Sequence, residues 1–110
     1  MTGAAHVLAI AIVATFGGSL ASREPFALAC VTAARASGVS SCDVAAVAML
    51  TSDAPSAIAA SLARARHRCG SRGLALAALD GSVCRDVHQR GFATRALGIA
   101  ARLCAVGGAP

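Results

Sequence analysis

The 110-residue chain has no lysine, no tryptophan and no tyrosine, and only three phenylalanines. Without lysine there is no G-K-[ST] step, which excludes a nucleotide-binding phosphate loop. The shortage of aromatics removes the stacking platforms that single-stranded nucleic-acid binding uses. Acidic side chains are scarce as well: five Asp and Glu against ten cations, all arginine, for a formal charge of +5. With 14% charged residues the chain is not a solvated, disordered polymer. No apolar run reaches the roughly 20 residues needed to span a bilayer. No C-x-x-C pair occurs among the five cysteines, Cys30, Cys42, Cys69, Cys84 and Cys104. An odd number at irregular spacings reads better as free, buried thiols in a reducing cytoplasm than as a disulfide frame.

What is present is alanine, far ahead of every other residue, within a 56% hydrophobic composition. The length suits one domain, residues 1–110. Its core must be built from many small groups plus Leu, Ile and Val, so its elements must approach closely. The positive charge favours anionic partners in general, but it gathers at Arg64, Arg66, Arg68 and Arg72, at the end of one expected helix. Cations are favoured there by the helix dipole, so neither nucleic acid nor a membrane is the expected partner.

Val7 to Val13 is a continuous apolar run with β-branched residues, as in a strand buried on both faces. The Ser19-Leu20-Ala21 step after it resembles a signal-peptidase site, but Met1 to His6 lacks the Lys or Arg of a secretory leader. Gly17-Gly18 breaks the run. Ser22 is a candidate N-cap for a helix carrying Phe26, Ala29, Cys30 and Ala33 on one side, closed by Gly38. Val44 to Leu50 reads as a second buried strand. Asp53 and Pro55 open a helix running to about Arg68, and Gly70 and Gly73 close it. Leu74 to Leu79 is a third apolar run, ended by Asp80-Gly81. A short helix over Ser82 to Gln89 and a longer one over Thr94 to Val106 follow.

Strands alternating with helices imply an α/β fold: a small three-layer α/β/α domain with a mostly parallel sheet of three or more strands. Alanine-rich runs such as Leu74 to Leu79 also suit helices, so an all-helical bundle is the competing architecture. Run lengths of six or seven residues, each ended by Gly or Asp, favour strands.

Ligands of an open parallel sheet bind beyond the carboxyl ends of its strands. That edge would carry Gly17, Gly18, Ser19, Thr51, Ser52, Asp53, Gly81 and Ser82, and its helix N-termini would favour carboxylates or phosphates. No catalytic residue is assigned. Cys84 and His88 are spaced to share a helical face, and with His67 and Cys69 they could form a zinc set. Neither spacing is a close match to a known site, so no metal or cofactor is expected.

The order of segments resembles the CobE family of cobalamin biosynthesis, which is similar to the C-terminal domain of CbiG-type cobalt-precorrin-5A hydrolases. The resemblance is carried by Val7 to Gly18, Ala33 to Val39, Asp43 to Leu50, Thr51-Ser52-Asp53-Ala54-Pro55, Arg72 to Leu76, and Gly98 to Ala101. It implies a small α/β domain whose partner is a carboxylated tetrapyrrole (corrin) intermediate. The chain departs from the family pattern where Lys and Glu of an acidic turn fall at Thr51 and Ala54, and where a later Glu falls at Ala101. The closing basic strand after Gly107-Gly108 is also missing. The resemblance therefore implies a cytoplasmic binding or accessory protein of corrin biosynthesis without independent catalysis, alone, self-associated or beside corrin-pathway enzymes. The rival readings are a non-catalytic structural or self-associating α/β module, and an exported alanine-rich protein beginning at Ser22.

Overall fold

The computed structural model describes residues 2–79, 83–84 and 89–107. Among the described residues six helices follow one another: α1 (Thr2–Phe16), α2 (Leu20–Ser37), α3 (Ser41–Thr51), α4 (Pro55–Cys69), α5 (Arg72–Ala77) and α6 (Arg90–Gly107). Among the described residues there is no strand. The expected α/β/α layering and parallel sheet are therefore replaced by a helical bundle.

The reason lies in α3. Residues Cys42 to Ala48 are buried without a break, because α3 runs through the middle of the molecule with α2, α4 and α6 packed around it. A helix enclosed on all sides is apolar on all sides, and such a run cannot be told from a doubly buried strand by periodicity. The Val7–Val13 run behaves the same way: it lies in α1, where Leu8, Ala9, Ala11 and Ile12 are buried against neighbouring helices. Leu74 to Ala77 belong to the short helix α5. Alanine, the strongest helix former, dominates these segments and settles the local preference.

The core reflects the same composition. Ile12, Leu62, Leu76, Leu103 and Val44 are its largest fully buried apolar side chains, and alanines such as Ala9, Ala45, Ala59, Ala96 and Ala100 fill the space between them. Small side chains let helix axes approach closely, so stability rests on many short contacts.

Helix ends follow their sequence signals more faithfully. Gly38 and Gly70 cap α2 and α4 in the left-handed conformation, with φ of 70° and 80°, their N–H groups donating to Ala34 and Arg66 carbonyls. Ser19, not Ser22, is the N-cap of α2: its Oγ accepts from the Ser22 N–H at 3.1 Å. Asp53 does not cap α4, whose N-cap position is Ala54. The longer helix expected over Thr94 to Val106 is present within α6; that expected over Ser82 to Gln89 falls largely outside the described residues.

Four of the five cysteines are paired, which corrects the reading as free thiols. Cys42–Cys104 ties the first turn of α3 to the last part of α6, and Cys69–Cys84 ties the end of α4 to the segment before α6. Cys30 alone is a free, buried thiol, and burial pushes its pKa up to about 12.

Candidate functional site

The turn between α3 and α4 is built by Thr51. Its hydroxyl donates to the Val47 carbonyl at 2.9 Å and accepts from the Asp53 N–H at 3.2 Å. Ser52 stands between them with φ 65°, capping α3 through its N–H to the Ala48 carbonyl. This turn holds Asp53 at the mouth of a cleft of about 340 Å³. One wall comes from Val47 and Thr51 of α3. Ala57, Ile58 and Ser61 of α4 form the second, Leu76, Ala77 and Leu79 the third, and Gln89 and Phe92 close the far side. The lining is mainly aliphatic and aromatic, with Asp53, Ser61 and Gln89 as its polar points beside the internally satisfied Thr51.

The sequence-expected site residues separate in space. Thr51 and Asp53 line the cleft, and Ser52 lies between them in sequence. Gly17, Gly18 and Ser19 form the α1–α2 turn and take no part in the cleft. Their roles there are structural: both glycines have positive φ, of 84° and 92°, and the Arg23 Nε donates to the Gly17 carbonyl at 3.1 Å. A Cβ on Gly18 would lie 2.9 Å from that Nε. Gly81 and Ser82 lie outside the described residues. With no strand to supply it, the carboxyl edge that was to unite these residues does not exist among the described residues.

Sequence reasoning missed Val47, Ala57, Ser61 and Phe92 as lining residues. Phe92 carried the best available signal, as one of three aromatics at the start of an amphipathic helix. A second, smaller cavity of about 190 Å³ lies between α1, α2, the start of α3 and Leu103 of α6, with Arg35, Ser40 and Ser41 on its wall.

Three of the four clustered arginines, Arg64, Arg68 and Arg72, make structural contacts. Arg72 is not at the end of α4 but at the start of α5, where Nε and Nη2 donate to the two carboxylate oxygens of Asp43 at 2.7 and 2.6 Å. Asp43 is 2% exposed and sits in the first turn of α3, so the helix dipole adds to the ion pair. The hydrogen bond to Asp43, with its charge, raises the Arg72 pKa against the opposing effect of burial. Arg68 Nη2 donates to the Ala78 carbonyl at 3.0 Å, and Arg64 Nη2 to the Ser61 hydroxyl at 3.3 Å. Contacts of this kind tie α3, α4 and α5 together around the cleft.

Cys84 and Cys69 bond to each other, so neither is a thiolate nucleophile or a zinc ligand in this structure; His88 lies outside the described residues. No group of three or more metal-ligating side chains is found among the described residues. No single helix among them is long and apolar enough to cross a membrane. No protein-family model, curated protein or solved structure matches the chain.

Proposed function

We propose that the chain is a non-catalytic binding module that takes a small, mainly apolar ligand into the cleft between α3, α4, α5 and the start of α6, and that it works in an oxidising compartment. The observation that carries this reading is the cleft itself. Its volume of about 340 Å³ lies in the range of small-molecule sites, about 300–1,000 Å³, and it has their usual make-up of apolar walls with a few polar points. The two disulfides favour an oxidising compartment over the cytoplasm expected from the cysteine count. They tie together three of the helices around the cleft: α3 to α6, and α4 to the segment leading into α6.

The sheet edge at which a corrin ring was expected to bind is not present among the described residues. A ring bearing several carboxylates needed an edge of helix N–H groups, whereas the mouth of this cleft presents the Asp53 carboxylate, a like charge.

Ala57 is exposed, lines the cleft and lies in the first turn of α4, so a large side chain there fills the space at little cost to the fold. Titration of an environment-sensitive apolar dye should give a saturable fluorescence rise with the native protein and a loss of at least about tenfold in affinity with Ala57→Trp, at unchanged helical circular dichroism. Equal binding by both proteins would overturn the assignment of the site.

A further inference from the structure

Resting on that reading of the cleft, we infer that its ligand carries a protonated amine on an apolar body, and that Asp53 is the group that selects it. The described carboxylates divide cleanly. Asp43 is engaged by Arg72, and Glu24 lies 3.2 Å from His6. Asp53 lines the cleft, and among the described residues its side chain makes no hydrogen bond or ion pair. Its backbone N–H is held by the Thr51 hydroxyl, so the residue is fixed in place while its carboxylate stays available.

Of the other polar groups of the lining, two are partly engaged within the fold. The Thr51 hydroxyl spends its proton on the Val47 carbonyl; the Ser61 oxygen accepts from Arg64, which leaves the Ser61 O–H able to donate, and Gln89, whose carboxamide both donates and accepts, completes the polar lining. A carboxylate accepts only. At Asp53 itself the open capacity is accepting only, and it suits a ligand that brings donors. An ammonium brings three, with a charge opposite to that of Asp53. A carboxylate or phosphate would bring neither. The chain's overall positive charge disfavours cations at long range, but that field is screened beyond a Debye length of about 8–10 Å. A contact at Asp53 is shorter than that. Because Asp53 is exposed, the charge contributes a preference on top of apolar burial, about two- to fivefold, not the bulk of the affinity.

Three probes with the same six-carbon chain separate the possibilities: hexylamine, 1-hexanol and hexanoate, each titrated at neutral pH into the full chain with its disulfides intact. Hexylamine should bind about two- to fivefold more tightly than hexanol, and hexanoate more weakly than either. Asp53→Asn, which removes no fold contact of the side chain, should bring hexylamine down to the level of hexanol. Equal or weaker binding of the amine, or an amine preference that survives Asp53→Asn, would overturn the inference while leaving the apolar cleft standing. Failure of all three to bind at millimolar concentration would remove the cleft reading and the inference together.

Discussion

Arg72 and Asp43 are 29 positions apart, yet their paired hydrogen bonds join the starts of α5 and α3. The two ends of that bond are not equivalent. Asp43 is nearly sealed from solvent, whereas the Arg72 side chain is 43% exposed. Removing the arginine strands a buried carboxylate; removing the carboxylate returns the arginine to water. Arg72→Ala should therefore cost about 2–3 kcal/mol and Asp43→Ala less, as read by urea denaturation. At Ser52 the argument runs the other way. A non-glycine residue with φ 65° pays a steric cost that glycine avoids, so Ser52→Gly should stabilise by about 0.5–1 kcal/mol in the same assay. Cys30 supplies a pH dependence. Its pKa rises from 9.0 in the open chain to about 12 in the fold, so the native state keeps its proton where the unfolded state has lost it. The stabilisation is complete below pH 9, falls by about 1.4 kcal/mol per pH unit above it, and is gone near pH 12. Cys30→Ala should flatten that slope in denaturation measured between pH 8 and 10.

At the level of elements, the two disulfides close loops of very different length, 62 and 15 residues. Chain-entropy arithmetic gives about 4 kcal/mol for the longer and about 3 kcal/mol for the shorter. Thermal melts of the paired Cys→Ser variants should therefore rank Cys42/Cys104 as the costlier loss. Legibility from sequence also differed by element. The ends of α2 and α4 were readable, because Gly38 and Gly70 signal through backbone conformation that few other residues adopt. The amphipathic helices α4 and α6 showed their period. α1 and α3 did not, because a helix buried all round has no polar face to mark the turn, and its run of Val, Ile and Ala imitates a strand. Run length was a poor arbiter: α3 has eleven residues, of which only Val44 to Leu50 stand out as an apolar run. Disulfide pairing was not readable at all, since Cys42 and Cys104 meet only through the docking of α6 on α3. Of the expected set, Thr51 and Asp53 line a cleft between helices, where the sequence pattern places them at a sheet edge.

Across the whole molecule, the central position of α3 unites these features. It carries Asp43 and Cys42 at one end and Val47 and Thr51 at the other, so a single buried helix anchors an ion pair, a disulfide and one wall of the cleft. The cleft is thus assembled from segments far apart in the chain, and it depends on the bundle being closed. A two-dimensional amide NMR titration of the isotope-labelled protein with hexylamine tests this most directly. Saturable shifts should appear at Val47, Asp53, Ala57, Ser61 and Phe92, leaving the turn at Gly17 to Ser19 unmoved. Shifts that fail to saturate, or that gather at the α1–α2 turn instead, would contradict the account.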